Sequence, residues 1–181
     1  MNFDVLVIGA GAAGMMAAGT AAEKGLSVCL LDKNRKPGRK ICITGKGRCN
    51  LTNNCDTKDF ISSVTTNGKF LYGAASRFSP KDAMAFFEKL GLPLKTERGR
   101  RVFPQSDRAA DVADTLFRFA VSRGARFVTG TAARLLLSGG RVRGVVLRGG
   151  GEITAGSVIV CCGGKSYPAT GSTGDGYRLA E

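Results

Sequence analysis

The sequence of 181 residues contains no histidine and no tryptophan. The absence of histidine excludes His-based catalysis, and because no C-x-x-C pair is present either, no metal site is expected. No apolar run approaches the roughly 18 residues that a membrane-spanning helix needs, so no membrane partner is expected. The N-terminus lacks a basic segment before its first apolar run, which argues against a signal peptide and favours a cytoplasmic location.

Disulfides are not expected, although six cysteines are present. Cys29 and Cys161 lie in apolar runs typical of strands, whereas Cys42, Cys49 and Cys55 lie in one loop region. Together with the expected cytoplasmic location, this arrangement favours buried or reduced thiols.

Acidic residues are fewer than basic residues. The chain contains 14 Asp and Glu residues and 27 Lys and Arg residues, which gives a net charge of +13. Such an excess fits a nucleic-acid partner, a polyanionic cofactor or a solvated surface. Aromatic residues make up only 7% of the chain and are not interleaved with basic ones, so base stacking has poor support. Nucleic acid is therefore not expected as a partner, and a basic nucleic-acid-associated protein is the weaker alternative.

The N-terminus does contain a G-x-G-x-x-G motif, Gly9–Gly14, after the apolar run Phe3–Ile8. The small-residue stretch Ala12–Lys24 predicts a helix, and a second apolar run, Val28–Leu31, ends at Asp32. In a β-α-β unit such glycines permit a tight turn, the close approach of a pyrophosphate and the packing of helix on strand. The helix N-terminus then offers N–H groups and a partial positive charge to the phosphates. The motif therefore predicts dinucleotide binding.

Asp32 narrows the choice of dinucleotide. An acid at the end of the second strand can accept hydrogen bonds from a ribose 2′-hydroxyl and disfavours the 2′-phosphate of NADP. The motif alone thus leaves FAD and NAD open. A β-α-β unit whose glycines serve packing alone would leave Asp32 unexplained.

A long loop is predicted after Asp32, over residues 33–54. Its glycines let the backbone approach a ligand closely at Thr44–Gly47, and a loop of this length is more often functional than idle. The seven basic residues between Asp32 and Asp56, where no acid occurs, are Lys33, Arg35, Lys36, Arg39, Lys40, Lys46 and Arg48. This bias beside a phosphate-binding turn favours a cofactor contact over an ordinary basic surface loop.

Two blocks of the sequence resemble the signatures of a known family. Residues 38–53 read GRKICITGKGRCNLTN and residues 163–177 read GGKSYPATGSTGDGY. Both are similar to signatures of the bacterial NAD(P)/FAD-dependent oxidoreductases, among whose members aminoacetone oxidase and bile-acid reductase are named. The resemblance implies FAD as the bound nucleotide, flavin-based redox chemistry, a small-molecule substrate and NAD(P)H as a candidate electron donor.

The candidate site combines the motif with the resemblance. Gly9–Gly14 would cradle the pyrophosphate and Asp32 would bind the adenosine ribose, whereas Arg39 and the loop Thr44–Asn50 would hold the phosphate–ribityl–flavin portion. The candidate cofactor-binding residues are Gly9, Gly11, Ala12, Ala13, Gly14, Asp32, Lys33, Arg39, Thr44, Gly45, Gly47, Arg48, Cys49, Asn50, Ala133, Cys162, Gly163 and Gly164. No general acid or base, and no other catalytic residue, can be named.

Two cysteine positions have alternative interpretations. Cys49 is interpreted as a packing residue, but the neighbouring Lys46 and Arg48 would lower its pKa and so allow a redox role. The resembled family usually has Ala-Thr before its two glycines, where this chain has Cys161 and Cys162. The hydroxyl of the usual threonine, and any hydrogen bond that it makes, is therefore missing here.

The rest of the chain predicts an α/β fold. Helices are expected at Lys58–Val64, Lys69–Phe78, Pro80–Leu90 and Asp107–Arg123. Strands are expected at Leu94–Glu97, Arg100–Phe103, Ala125–Val128, Ala132–Leu137, Arg141–Leu147, Glu152–Thr154 and Ser157–Cys162. We therefore predict a Rossmann-like FAD-binding domain with a parallel sheet, helices on its faces and an antiparallel β-meander over one face, which the resemblance also implies.

Residues 1–181 are expected to form one FAD-binding domain, the N-terminal portion of a longer protein. Thr173–Glu181 begins a helix without a stop signal, and proteins of the resembled family continue through a substrate domain and a C-terminal cofactor segment, which are absent here. A truncated, non-catalytic dinucleotide-binding remnant is the alternative to an oxidoreductase. The substrate and the oligomeric state stay open at this stage.

Overall fold

The protein is described by a computed structural model that covers residues 2–181. The strands are β1 (Asn2–Ile8), β2 (Val28–Asp32), β3 (Thr52–Asn53), β4 (Leu94–Glu97), β5 (Arg101–Pro104), β6 (Arg126–Thr129), β7 (Ala132–Ser138), β8 (Arg141–Leu147) and β9 (Glu152–Val160). The α-helices are α1 (Ala12–Glu23), α2 (Thr57–Ser62), α3 (Tyr72–Arg77), α4 (Pro80–Lys89), α5 (Ala109–Ser122) and α6 (Asp175–Ala180). Short 3₁₀ segments lie at Ile41–Gly47, Gly68–Leu71, Arg98–Arg100 and Pro168–Thr170.

The chain divides into two compact units, residues 2–41 with 116–181 and residues 42–115. Helix α5 begins in the second unit and ends in the first. Within residues 2–181, no helix combines the length and the apolar character that crossing a bilayer requires.

The first unit is built on a six-stranded sheet with the order β6-β2-β1-β9-β8-β7. Strands β6, β2, β1 and β9 are parallel neighbours, and β7 to β9 form an antiparallel meander. The apolar runs of β1 and β2 are almost completely buried, as expected for strands in the centre of a parallel sheet. The predicted α/β fold with a parallel sheet, helices and a meander is confirmed.

Strand β9 differs from the prediction, which placed two separate strands at Glu152–Thr154 and Ser157–Cys162. The structure shows one strand, so the prediction of a break is wrong. Its first residues pair with β8, and the stretch from Thr154 to Val160 pairs in parallel with β1. Pairing with β1 on both sides of Gly156, at Ala155 and Ser157, keeps the backbone extended through this stretch.

The meander covers one face of the parallel sheet. Val145 of β8 and Ile153 of β9 belong to the same buried cluster as Leu6 of β1 and Leu31 of β2. Because β9 takes part in both the parallel and the antiparallel pairing, the meander is hydrogen-bonded to the sheet and also folds over it. Burial of these side chains stabilises this arrangement.

Helices α1 and α5 contact each other through a glycine. A Cβ built at Gly19 of α1 would overlap the ring of Phe119 of α5. Both residues are buried. Helix α1 therefore needs a glycine at position 19, because the ring of Phe119 occupies the space that a side chain would fill.

The second unit contains a three-stranded antiparallel sheet with the order β3-β5-β4. Helix α4 begins at the predicted capping box, in which Ser79 and Asp82 bond to each other's backbone N–H groups. The helix predicted at Lys69–Phe78 is divided into the 3₁₀ segment Gly68–Leu71 and α3. The loop predicted at residues 33–54 contains a 3₁₀ segment and β3.

Candidate nucleotide-binding site

The turn between β1 and α1 is fixed by two glycines that the fold itself requires. Gly9 has a φ of +106°, and a Cβ there would lie 3.1 Å from the backbone nitrogen of Cys162. A Cβ at Gly14 would overlap the carbonyl oxygen of Gly9. These two glycines therefore bring the turn, the helix and the end of β9 into close backbone contact.

Gly11 is different, because the surrounding protein does not require a glycine there. Its φ is −80°, which any residue can adopt, and a Cβ at this position would meet no described atom within 4 Å. The open space lies at the N-cap of α1, where the N–H groups of the first turn have no partner within the helix. A cradle that a side chain would fill, facing free N–H groups and the positive end of a helix dipole, fits a diphosphate.

The carboxylate of Asp32 supports the glycine turn directly. Its Oδ2 accepts a hydrogen bond from the backbone N–H of Ala10 at 2.6 Å, and its Oδ1 accepts one from the backbone N–H of Asn34 at 2.7 Å. The side chain is half-buried at the end of β2, as predicted for the ribose-binding acid. The structure therefore places Asp32 beside the turn, with a carboxylate that also holds the turn in shape.

Sequence reasoning missed Asn34, whose side chain lies between Asp32 and Arg39. Its Nδ2 donates to Asp32 Oδ1 at 3.0 Å, and its Oδ1 accepts from a guanidinium nitrogen of Arg39 at 2.8 Å. An asparagine two residues after the strand-end acid was the available signal, since short amide side chains often bond locally in loops. The side chain of Asn34 thus connects the guanidinium of Arg39 to Asp32, the acid that is predicted to bind the adenosine ribose.

Lys33 is held by the segment that follows β9. Its Nζ donates to Thr173 Oγ1 at 2.7 Å and to Asp175 Oδ2 at 2.6 Å. The hydrogen bond from Lys33 is the main cause that lowers the pKa of Asp175. The predicted cofactor contact of Lys33 stays a prediction, and in the structure its charge is paired with this carboxylate.

The end of β9 lies against the end of β1. The backbone N–H of Cys161 donates to the carbonyl oxygen of Ile8 at 2.7 Å, and the Cys162 thiol lies 3.6 Å from the same oxygen. Burial raises the pKa of Cys162 from its ordinary value of 9.0 to about 11, so the thiol is the protonated, donating form. The thiol therefore supplies a hydrogen bond at the position where the resembled family has a threonine hydroxyl. Gly163 follows with a φ of +70°.

Ala133 lies in β7, next to the guanidinium of Arg178. The carbonyl oxygens of Ala132 and Ala133 both accept hydrogen bonds from Arg178 of α6, the former at 3.1 Å. The backbone of Ala133 is therefore already engaged with α6. Its predicted contact with the cofactor stays a prediction.

The glycine-rich loop Thr44–Asn50 belongs to the second unit. The consecutive residues Gly45, Lys46 and Gly47 have φ values of +56°, +57° and +84°, and Cys49 has +59°. A Cβ at Gly45 would lie 2.8 Å from the backbone nitrogen of Asn50, so the loop needs a glycine there to close on itself. Left-handed non-glycine residues cost about 1 kcal/mol each and concentrate at functional loops.

Arg48 is the centre of a charged cluster in the second unit. Its guanidinium pairs with Glu97 and with Asp107, the latter at 2.6 Å, and lies 4.2 Å from the ring centre of Phe103. Lys95 also pairs with Asp107 at 2.6 Å. Hydrogen bonds from Arg48 lower the pKa of Glu97, and those from Lys95 and Arg48 lower the pKa of Asp107. The anions that Arg48 binds in the structure are thus two carboxylates of this chain.

Cys49 is a buried thiol, which corrects one of its two interpretations. Burial is the main effect on it and raises its pKa, although a hydrogen bond with Thr44 acts in the opposite direction. The expectation that Lys46 and Arg48 lower this pKa is wrong, because the Arg48 guanidinium is engaged with Glu97 and Asp107 and the sulfur is shielded from solvent. This environment favours the packing interpretation.

Comparison with known proteins gives relatives along the whole chain. A profile of the HI0933-like protein Rossmann domain matches residues 3–181. The 3-dehydro-bile acid delta(4,6)-reductase of Clostridium scindens is 35% identical over 178 residues, which are 97% of this chain and 42% of that protein. The ribosomal RNA dihydrouridine synthase of Escherichia coli is 32% identical over 182 residues, 99% of this chain and 44% of that protein. The chain therefore spans less than half the length of these two relatives.

Solved structures share the fold. A flavocytochrome c3 fumarate reductase in its open conformation superposes with a TM-score of 0.77 at 25% identity, covering 99% of this chain and 40% of that chain. Together the matches confirm the prediction of a Rossmann-like flavoprotein domain of the oxidoreductase class, with FAD as its nucleotide. The NAD(P)H donor and the individual cofactor contacts stay predictions. The expected absence of a nucleic-acid partner also stays a prediction, because one relative is named for ribosomal RNA.

Proposed function

This chain belongs to the HI0933-like protein Rossmann domain family, as the resemblance predicted, and we propose that it is the FAD-binding domain of a reductase whose redox chemistry is carried by the flavin. On this proposal residues 1–181 act as one cofactor domain. When bound, the flavin accepts and donates electrons, while the protein binds and orients it. No side chain of this chain is assigned to acid–base chemistry.

The observation that carries the proposal is the open position at Gly11. It lies at the N-terminus of α1, between two glycines that the fold requires for its own packing. The carboxylate of Asp32 lies beside the same turn through its hydrogen bond with Ala10. A diphosphate on the helix N-terminus and a ribose at the acid account for both features.

We assign roles to the chain's residues on this basis. The N–H groups of Gly11, Ala12 and Ala13 would hold the diphosphate, and Asp32 would hold the adenosine ribose. In the first unit, Cys162 and the two glycines after it are proposed as further cofactor contacts. The left-handed φ of Gly163 lets the backbone there approach a ligand closely and supports this assignment.

The test is FAD binding by a Gly11→Val variant. The purified chain is freed of nucleotide, incubated with FAD and passed through a desalting column. Bound flavin is then measured from its absorbance at about 450 nm, the band of an oxidised flavin cofactor. A Cβ at Gly11 meets no described atom within 4 Å, so we expect the variant to fold normally, with its branched side chain in the cradle, and to retain no flavin. Gly73→Val is the matched control, since Gly73 of α3 also has open space around its Cβ position.

Two results would contradict the assignment. Full retention of FAD by Gly11→Val would show that the diphosphate does not bind at this turn. Equal loss of FAD in Gly73→Val would show that valine acts through the fold and not through the cradle. Circular dichroism spectra of both variants identify any unfolding.

For the whole protein we propose a small-molecule substrate and NAD(P)H as electron donor. The bile-acid reductase relative supports the first, since its name describes reduction of a 3-dehydro-bile acid, which is a small molecule. Anaerobic mixing of the FAD-loaded protein with NADH or NADPH tests the second: bleaching of the flavin band identifies the donor. If neither nucleotide bleaches the flavin, the donor proposal is wrong for this chain.

RNA is the second candidate substrate, and one surface of the second unit favours it. Phe70 and Tyr72 are 80% and 64% exposed, and the cationic Lys69 and Arg77 lie in the same short segment. Exposed aromatic rings next to cations are the usual platform for stacked bases. The test is fluorescence anisotropy with a labelled single-stranded RNA at low and moderate salt. A loss of affinity in a Phe70→Ala/Tyr72→Ala variant supports this candidate, and no binding at low salt rejects it.

A further inference from the structure

We propose that Asn34 is a positioning residue that restricts Asp32 to one hydrogen bond with one hydroxyl of the adenosine ribose. The inference rests on the proposed function, because it assumes that a ribose binds at Asp32. It concerns how the acid is presented, and it follows from the hydrogen bonds that surround the carboxylate.

The carboxylate of Asp32 is already largely occupied by donors of the protein. An ionised carboxylate offers about four lone-pair positions, two on each oxygen. Oδ1 accepts from the backbone N–H of Asn34 at 2.7 Å and from Asn34 Nδ2 at 3.0 Å. Oδ2 accepts from the backbone N–H of Ala10 at 2.6 Å. One position, on Oδ2, is left for a ligand.

The orientation of the Asn34 amide is fixed by Arg39. A guanidinium carries only donors, so the amide atom that faces it must be the oxygen, and Asn34 Oδ1 lies 2.8 Å from Arg39. The amide nitrogen is then directed to Asp32. The series of hydrogen bonds from Arg39 through Asn34 to Asp32 therefore has one consistent arrangement of donors and acceptors.

Packing also confines the amide of Asn34. A Cβ built at Gly171 would lie 2.7 Å from Asn34 Nδ2, so the backbone of the segment after β9 approaches the amide closely. Gly171 has a φ of +103°, which only glycine adopts readily. The side chain of Asn34 is thus held by Arg39 on one side, by the Gly171 backbone on another and by Asp32.

A carboxylate with two open positions can accept from both vicinal hydroxyls of a ribose, whereas Asp32 can accept from only one. We therefore expect the site to distinguish the two hydroxyls. Removal of the hydroxyl that donates to Asp32 should weaken binding of the nucleotide by about tenfold or more, which is the usual effect of losing a hydrogen bond to a charged group. Removal of the other hydroxyl should have little effect.

The experiment measures binding of ADP, 2′-deoxy-ADP and 3′-deoxy-ADP to the purified chain freed of FAD, by competition with FAD. Wild type should lose about tenfold in affinity for one deoxy analogue and less than about threefold for the other. Asn34→Ala should bring the two analogues to within about threefold of each other, because loss of the amide opens a second acceptor position, on Oδ1, while both backbone hydrogen bonds to the carboxylate stay. Asn34→Asp keeps the size of the side chain but replaces the donor, and should also lose the distinction.

The controls separate positioning from a loss of structure. A variant that merely disturbs the loop weakens binding of all three nucleotides by the same factor and leaves their ratios unchanged. Arg35→Ala is the matched control, since Arg35 is exposed and takes part in no ion pair or side-chain hydrogen bond found within residues 2–181, and it should keep the wild-type ratios. Asp32→Ala should bring both ratios close to one.

Each outcome decides a different claim. If wild type binds FAD but loses affinity equally for both deoxy analogues, or for neither, the single-hydroxyl inference is wrong. If Asn34→Ala and Asn34→Asp keep the wild-type ratios, Asn34 has no positioning role. If wild type binds neither FAD nor ADP, the proposed function itself fails.

Discussion

Lys33 Nζ lies 2.6 Å from Asp175 Oδ2, and this ion pair joins residues 142 positions apart in the sequence. The side chains are 27% and 24% exposed, so solvent screens the pair only in part. The pair ties the segment after β9 to the loop after β2, within the first unit.

A double-mutant cycle of Lys33→Met and Asp175→Asn should give a coupling energy of about 1 kcal/mol in the free energy of unfolding. The reason is the partial burial of the pair and the second hydrogen bond from Lys33 to Thr173. Urea denaturation of the four proteins measures it. The more exposed pair of Arg123 and Glu23 is the control and should give less than about 0.5 kcal/mol. Equal couplings for the two pairs would contradict the prediction.

Gly14→Ala should destabilise the first unit by about 1–3 kcal/mol or more, because the added methyl would overlap the carbonyl oxygen of Gly9. Gly73→Ala, at an exposed helical position with open space, should change stability by at most about 1 kcal/mol and in the stabilising direction. Thermal or urea unfolding of both variants gives the comparison. A Gly14→Ala variant as stable as wild type would show that the turn adapts without loss.

Arg48→Met should reduce the pH dependence of stability in acid. Arg48 and Lys95 hold the pKa values of Glu97 and Asp107 below their ordinary values of 4.5 and 3.8. A carboxyl whose pKa is lower in the folded state contributes stability above its unfolded pKa and loses that contribution as pH falls through the folded value. The free energy of unfolding of the wild type should therefore decrease as the pH falls below about 4.5, and that of the variant should decrease less over the same range.

The measurement for this variant is the urea midpoint at pH 7 and at pH 3. Arg101→Met is the control, because Arg101 also lies over the ring of Phe103, at 5.8 Å, but forms no ion pair with the two carboxylates. Its pH dependence should equal that of wild type. If Arg48→Met keeps the full acid sensitivity, the carboxylates are not stabilised through Arg48.

Alkylation of Cys162 should be slow at neutral pH. With a pKa of about 11, only on the order of 0.1% of the thiol is ionised at pH 8, and the thiolate is the reactive form. The rate of reaction with iodoacetamide, mapped by mass spectrometry, should rise about tenfold per pH unit up to that value. The same cysteine in urea should react at the rate of an ordinary thiol. Rapid labelling of the folded protein at pH 7 would place Cys162 in a different environment.

The sequence predicted the elements around the glycine motif well, because each of them is specified locally. Apolar runs define β1 and β2, and Gly9 and Gly14 have conformations or contacts that only glycine tolerates. The continuity of β9 was missed because it depends on pairing with β1, some 150 residues earlier, and not on the Ala-Gly-Ser sequence inside the strand. Local signals cannot report such a partner.

The position of Asp32 in the fold was predicted, but the hydrogen bonds of its carboxylate were not. Asp32 lies beside the turn as expected, yet its hydrogen bonds with Ala10 and Asn34 depend on how the loop folds back. The basic residues were predicted to face an anionic ligand, whereas Arg48 pairs with two carboxylates that are distant in sequence. A count of charges shows their excess but not which acids they meet in three dimensions.

The position of β9 between β1 and β8 has a consequence for how the chain folds as it is synthesised. β1 can pair with β2 as soon as residue 32 is available, but its other edge stays open until residues 154–160 have been made. At typical elongation rates that delay is on the order of ten seconds. The backbone of residues 161–162 also lies directly against Gly9. The glycine turn therefore reaches its final form only after residues about 150 positions later in the sequence have been synthesised and have packed against it.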